Sequence, residues 1–202
     1  MKIAVVMLAA GNSRRFGANK LLCQVEGNPL YIRTMRKLIK AGQILKKKKP
    51  YLELTFTAVV QYGKMAEVLL DEGIQVVYNP HPEEGISSSL KIGLLADRDA
   101  DACVFCVADQ PMLSAETVAR LLDTFESGEK GIGYVAFKGR PGSPSVFSKK
   151  YFDELLALTG DVGGKRVIAA HEEDSFCVEA GSVLELEDMD TKEQYKRLVG
   201  DK

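Results

Sequence analysis

The chain has 202 residues, with 46% hydrophobic and 27% charged side chains and a formal net charge of −1. That balance suits a globular protein with a sizeable core and argues against non-specific nucleic-acid binding as the main task. No apolar run approaches the roughly 20 residues that span a bilayer, and Met1-Lys2 leads straight into a strand-like run without the features of a cleavable signal peptide. No nucleic acid and no membrane are therefore expected as partners, and the cytoplasm is the expected compartment.

Apolar runs alternate with helix-period segments. This predicts an α/β fold, a single domain over residues 1–202 with a Rossmann-like, mostly parallel sheet flanked by helices. In chain order, a buried strand over Ile3–Leu8 leads into a polar loop, and a helix is predicted over Pro29–Ala41. The run Lys46-Lys47-Lys48-Lys49-Pro50 reads as a solvated loop rather than an anion patch. A strand over Thr55–Val60, a helix over Met65–Glu72 and a strand over Gln75–Tyr78 follow. A helix over Ser88–Leu95 and a strand over Ala102–Val107 come next. The helix over Ala115–Glu126 has Ser114 as its natural cap, and Ser148 reads likewise before Lys149–Tyr151. Strands are predicted over Gly133–Ala136, Ser145–Phe147 and Phe176–Glu179, and helices over Lys150–Leu158, Val162–His171 and Lys192–Leu198.

The loop after the first strand is the richest stretch: Leu8-Ala9-Ala10-Gly11-Asn12-Ser13-Arg14-Arg15-Phe16-Gly17-Ala18-Asn19-Lys20. Glycines, a hydroxyl and cations directly after a strand suit a polyphosphate, which backbone N–H groups and positive side chains can surround. Two common phosphate motifs do not fit. A Walker A loop has four residues between its glycines and then Gly-Lys-Ser/Thr, whereas five separate Gly11 from Gly17 and Ala18-Asn19 precede Lys20. A dinucleotide fingerprint needs glycine two residues after Gly11, where Ser13 stands. The match at Gly131-Ile132-Gly133-Tyr134-Val135-Ala136 precedes a strand rather than a helix and is set aside.

Asp109 lies just past an apolar strand, at the carboxyl end where open parallel sheets bind ligands, with Pro111 fixing the turn. Asp188 and Asp190 straddle Met189 and share a face if that segment is extended. Asp190 is either a second carboxylate near the site or the cap of the last helix. Cys103 and Cys106 are three apart on a strand, so they point to opposite faces and read as core residues rather than metal ligands. His81 and His171 are the only histidines, which argues against a His-dependent triad.

The pattern Leu-Ala-Ala-Gly-x-Ser-x-Arg-x-Gly-x-x-Lys resembles the signature of nucleotidyltransferases that take a nucleoside triphosphate and expel pyrophosphate. Within them the chain is most similar to the molybdenum cofactor cytidylyltransferase group, relatives of the molybdopterin guanylyltransferases. Further blocks in family order carry the resemblance: Asn79-Pro80 with Gly85 and Ser87-Ser88-Ser89, Ala108-Asp109-Gln110-Pro111, and Pro141-Gly142-Ser143-Pro144. Thr159-Gly160-Asp161-Val162-Gly163 and Asp188-Met189-Asp190-Thr191 complete it.

The resemblance implies CTP or another NTP as donor, molybdopterin or molybdenum cofactor as acceptor, Mg²⁺ as cofactor, and a transient contact with a molybdenum hydroxylase. It implies that Leu8, Ala9, Ala10, Gly11, Ser13, Arg14, Gly17 and Lys20 bind nucleotide, together with Asn79, Gly85, Ser88 and Ser89. Arg14, Lys20 and Asp109 are the implied catalytic residues, and Asp109 and Asp190 the metal ligands. Gly142, Ser143, Pro144, Gly160, Asp161 and Gly163 would face the acceptor, with Asp161 capping the helix that follows. Lys165 and Arg166 either bind the acceptor's phosphate or are solvated. The part to about residue 111 would then bind NTP and metal, and the rest the acceptor. Ala9-Ala10-Gly11 leans towards cytidine, since relatives that use guanine usually show Ala-Gly-Gly. Many relatives carry Gly-His-Pro where Gly142-Ser143-Pro144 stands, so the acceptor pocket departs from the pattern. The alternatives are the same chemistry with GTP or another phosphorylated acceptor, and a non-catalytic accessory protein that delivers cofactor to a molybdenum hydroxylase.

Overall fold

The computed structural model describes residues 1–11, 16–17 and 19–199. In chain order its elements are β1 (Lys2–Ala9), β2 (Gln24–Val25), β3 (Asn28–Pro29), α1 (Leu30–Lys48), β4 (Glu53–Val60), α2 (Gly63–Asp71), β5 (Gln75–Tyr78) and α3 (Ile86–Ala96). These are followed by β6 (Ala102–Val107), α4 (Ala115–Ser127), β7 (Ile132–Phe137), β8 (Arg140–Ser148), α5 (Phe152–Leu156), α6 (Lys165–Ala170), β9 (Ser175–Glu179) and α7 (Lys192–Val199).

One sheet runs in the order β5-β4-β1-β6-β8-β7-β9, and β2-β3 forms a separate two-residue hairpin. β1 pairs in parallel with both β4 and β6, and β4 with β5. β8 is the reversed strand, antiparallel to β6 and β7, while β9 returns parallel to β7. The fold is thus the α/β architecture expected, a mostly parallel sheet flanked by helices. The chain moves outward from β1 to β4 and β5, then crosses back to place β6 on the other side of β1. That reversal opens a crevice at the carboxyl ends of β1 and β6, where open α/β sheets take their ligands.

Two apolar layers cover the sheet. One gathers Met7, Leu30, Met35, Leu38, Met65, Val118 and Leu122 from β1, α1, α2 and α4. The other gathers Val6, Leu90, Phe105, Phe147, Leu155 and Val167 between the sheet and α3, α5 and α6. Cys103 sits in the second layer and Cys106 in the first, both buried, so the two thiols do point to opposite faces.

Four local expectations need correction. The helix predicted to end at Ala41 continues to Lys48, so Lys46, Lys47 and Lys48 form its last turn rather than a loop. Leu38, Ala41 and Leu45 continue its buried stripe, and cations at a carboxyl end complement the helix dipole. Gly42, which ordinarily marks a helix end, lies mid-helix because a Cβ there would stand 2.8 Å from the Phe56 ring on β4. Asp161 does not cap the next helix: α6 begins at Lys165 with Gly164 in the cap position. Ser148 precedes the 3-10 turn Lys149–Tyr151 without capping it through its side chain, whereas Ser114 caps α4 by accepting the Thr117 N–H. The strand expected over Ser145–Phe147 extends back to Arg140, across two prolines. They are tolerated because β6 pairs only with Ser145–Ser148, leaving the proline stretch at the rim.

Candidate active site

β1 and β6 end side by side, with Leu8 opposite Val107 in the register. The loops that follow them meet at Lys20 and Asp109. Lys20 opens a 3-10 turn, Lys20–Leu22, capped by Asn19, whose side chain accepts the Leu21 N–H at 3.1 Å. Its Nζ stands 2.6 Å from Asp109 Oδ2 and 2.6 Å from Asp190 Oδ1. Lys20 is only 7% exposed. Burial works against its charge, but Asp109 and then Asp190 outweigh it and hold the ammonium above its ordinary range.

Asp190 reaches this point because α7 is capped by other groups. Gln194 Oε1 accepts the Asp190 and Thr191 N–H groups, and Thr191 Oγ1 accepts the Gln194 N–H. This reciprocal capping leaves the Asp190 carboxylate for Lys20. Between the acidic pair, Met189 is buried, and its N–H donates to the Asp109 carbonyl at 2.9 Å. Asp188 therefore shares the acidic cluster: its Oδ1 accepts from Gln110 Nε2 at 3.0 Å. Desolvation and the Asp109 charge raise its pKa.

All donors here are oxygens, and Asp109 Oδ1 is buried without a hydrogen-bond partner among the described residues. The ammonium between Asp109 and Asp190 marks a place that favours a cation. Both features fit a hard divalent ion. Among the described residues no group of three or more His, Cys, Asp or Glu could hold a metal by itself. A cation held here by Asp109 and Asp190 would draw further oxygens from a phosphate or water.

A cavity of about 430 Å³ opens beside this cluster, walled by Leu8, Ala10, Gly11, Lys20, Gly85, Ser89 and Asp109. The side chain of Ala9 is packed in the core, so only its backbone is available to a ligand. Gly17 takes φ +73° at the far end of the loop. Ser13 and Arg14, with Asn12 and Arg15, lie outside the described residues. Asn79 and Ser88 are behind the cavity wall: Asn79 Nδ2 donates to Ser88 Oγ and Ser89 Oγ, each at 2.8 Å, and tethers the first turn of α3.

A second cavity of about 580 Å³ adjoins the first across Leu8, Ile86, Val107 and Asp161. Gly142, Ser143, Asp161 and Gly163 line it, with Arg140 and Lys165; Pro144 and Gly160 are not on its wall. Ser143 is turned inward, its Oγ accepting the Val107 N–H at 3.2 Å beyond the last β6–β8 pair. Gly160 instead forms the seam between the cavities. A Cβ on Gly85 would stand 2.6 Å from the backbone of Gly160 and Asp161, and the Ser87 N–H donates to the Gly160 carbonyl.

Two glutamines at the site escaped the sequence reading. Gln61, just past β4, donates from Nε2 to the Ala10 and Gly11 carbonyls, each at 3.0 Å, and so holds the start of the loop. Gln110 ties the Asp109 turn to Leu186 and Asp188. The available signal was position: each is a polar residue at or just beyond the carboxyl end of an apolar strand. His81 pairs with Glu83, on the rim of the first cavity, and His171 with Glu154; neither histidine lines the two cavities.

The family model of the MobA-like NTP transferase domain matches residues 5–175. The chain is 28% identical to purine catabolism protein PucB of Bacillus subtilis, over 94% of this chain and 92% of that one. It is 32% identical to a probable molybdenum cofactor guanylyltransferase of Thermococcus kodakarensis, over 61% of this chain and 54% of the relative. Among solved structures it resembles Rv0371c of Mycobacterium tuberculosis, with a TM-score of 0.77 and 25% identity over 98% and 96% of the two chains. Rv0371c has also been solved as a complex with manganese. With a crevice at the β1–β6 reversal, a lysine–carboxylate cluster at its edge and this match over most of its length, the chain belongs to the MobA-like NTP transferase domain family and is a nucleotidyltransferase.

Proposed function

We propose that the chain transfers CMP from CTP to the phosphate of molybdopterin cofactor and releases pyrophosphate, with Mg²⁺ as its metal. The observation that carries this reading is the Lys20–Asp109–Asp190 cluster at the edge of two adjoining cavities. In it the first cavity takes the nucleotide, through Leu8 to Gly11, Ser13, Arg14, Gly17, Lys20, Gly85 and Ser89, with Asn79 and Ser88 supporting α3. The second takes the acceptor, through Gly142, Ser143, Asp161 and Gly163, with Pro144 and Gly160 as framework. The division near residue 111 follows the same line except at the metal, to which Asp190 from the later part also contributes.

Mg²⁺ would be held by Asp109 and Asp190 and, when bound, neutralises phosphate charge where the acceptor attacks and pyrophosphate departs. The side chains do the rest. Lys20, released from the two carboxylates, turns its charge to the pyrophosphate oxygens with Arg14. The walls of Leu8, Ile86 and Val107 between the cavities exclude water and bring donor and acceptor together. A phosphate acceptor is already ionised near neutral pH, so no side-chain nucleophile or strong base is required.

The Ala10 side chain at the cavity wall favours the smaller pyrimidine. The relatives described as probable molybdenum cofactor guanylyltransferases favour GTP as a second reading. The test is incubation of purified protein with each NTP, Mg²⁺ and molybdopterin, with the dinucleotide identified by mass. A cytosine dinucleotide is expected. A guanine product alone overturns the base assignment, and no product with any NTP overturns the acceptor and favours a delivery role towards a molybdenum hydroxylase.

A further inference from the structure

Three side chains on one face of α1 reach the turn that carries Asp109, and nothing above gives them a role. Thr34 Oγ1 donates to the Ala108 carbonyl at 3.0 Å, with the Leu30 carbonyl of its own helix as a second acceptor at 3.1 Å. Lys37 Nζ donates to the Pro111 carbonyl at 2.5 Å, and Arg33 Nε reaches the same oxygen at 3.5 Å. The carbonyls before and after Asp109-Gln110 are thus both held from α1, while the Met189 N–H holds the Asp109 carbonyl from the opposite side. Spacing of three and four residues puts Thr34 and Arg33 on the same helix face as Lys37.

Two cations converging on one neutral oxygen is a costly arrangement for a surface lysine, whose flexible stem ordinarily carries its charge into water. Lys37 is half-buried. Around it stand Arg33 on its own helix, Glu26 in the β2–β3 hairpin, Glu116 in the first turn of α4, Glu185 in the 3-10 turn Val183–Leu186, and Cys106 on β6. Arg33 is itself drawn towards Glu26, with which it pairs.

We propose that Lys37 is a positioning residue for nucleotidyl transfer: with Thr34 it fixes the backbone of Ala108–Pro111 and so the direction of the Asp109 carboxylate. This rests on Asp109 serving the transfer as set out above. Burial, and then Arg33, push the Lys37 ammonium down to about 8. As pH rises through that value the charge-assisted bond to Pro111 becomes an ordinary amine donor, and turnover falls. Stability moves the other way. The folded pKa lies below that of the unfolded chain, so between about 8 and the ordinary lysine value the unfolded state binds more protons, and the Lys37 contribution to stability rises. A role in folding alone would not lower turnover while stability rises.

The test uses the full chain and compares wild type with Lys37→Met, Thr34→Val and, as a control, Lys40→Met, an exposed lysine on the same helix. Pyrophosphate release against pH, KM for the NTP, thermal stability and amide exchange over residues 109–113 are measured. Lys37→Met is expected to lower kcat near neutral pH by about tenfold to a hundredfold, the loss of one charge-assisted hydrogen bond, with KM little changed. The gap to wild type should narrow above about pH 9, where Lys37 keeps only a neutral amine donor, and exchange over 109–113 should rise. Thr34→Val should lower kcat in the same direction, and Lys40→Met should match wild type. An unchanged kcat, or a loss equal at every pH, overturns the proposal, as does unchanged exchange over 109–113. If wild type itself releases no pyrophosphate with any NTP, the functional reading fails, and the exchange measurement alone decides whether Lys37 holds the turn.

Discussion

Lys20 keeps its charge in a place where burial alone would suppress it, because Asp109 and Asp190 each put an oxygen 2.6 Å from the ammonium. Lys20→Met leaves two carboxylates close together with less compensation. The metal-free variant is expected to lose about 2–3 kcal/mol, below the range for fully buried pairs because Asp190 remains 38% exposed. Mg²⁺ should restore more stability to the variant than to wild type, since the Lys20 ammonium no longer competes for the carboxylates. Thermal melts with and without Mg²⁺ check both statements, and equal metal-free stability contradicts them. Asp188 illustrates the opposite balance, with desolvation and the Asp109 charge raising its carboxyl above the usual range. Such a group costs stability at neutral pH, and the cost disappears as pH falls below the unfolded carboxylate value. Asp188→Asn should therefore raise the melting temperature near neutral pH by an amount that shrinks towards zero in acid; a gain independent of pH would contradict this. Asp109 was legible because a carboxylate directly after a buried strand has few structural reasons to be there. Gln61 was not, because its function is to bind two backbone carbonyls, and a glutamine leaves no periodic or spacing signal for that.

At the scale of elements, the seam between α3 and the segment before α6 is what joins the two cavities. Gly85 has φ +90° and ψ −176°, a region open essentially to glycine, and its missing Cβ leaves room for Gly160 and Asp161. Gly85→Ala is expected to cost about 3 kcal/mol, combining backbone strain with the contact, and to weaken triphosphate binding as α3 moves off the seam. Denaturant melts and nucleotide titration test this, and wild-type stability in the variant contradicts it. The same elements show where local patterns mislead. The helix expected to stop at Ala41 runs on through Gly42, whose missing side chain makes room for Phe56. Asp161 looked like a cap because an acidic residue precedes a helix-period run, yet the helix starts four residues later, after two glycines. Both differences have one cause: a helix boundary or a cap residue has the same local pattern whether its neighbour in space is solvent or another element.

Across the whole molecule, the order of strands and helices was legible because a parallel sheet buried on both sides demands continuous apolar runs, as in Ile3–Met7 and Ala102–Cys106. The reversed direction of β8 was not, since its prolines broke the run and its partner strand is set by topology rather than composition. The hairpin β2–β3, too short for any periodicity, turns at Glu26 and Gly27, both with positive φ. What the sheet does for function is bring the ends of β1 and β6 together, so that residues 89 positions apart in Lys20 and Asp109 form one charged pair. Among the described residues no helix is long and apolar enough to cross a membrane. The central claim is that this pair, with Asp190, is the centre of nucleotidyl transfer. Its most direct test is pyrophosphate release by wild type and Asp109→Asn with CTP, Mg²⁺ and molybdopterin, after melts show that both are folded. Release is expected to fall by at least about a hundredfold in the variant, the scale of losing a main electrostatic group at a reacting phosphate; undiminished release would contradict the account.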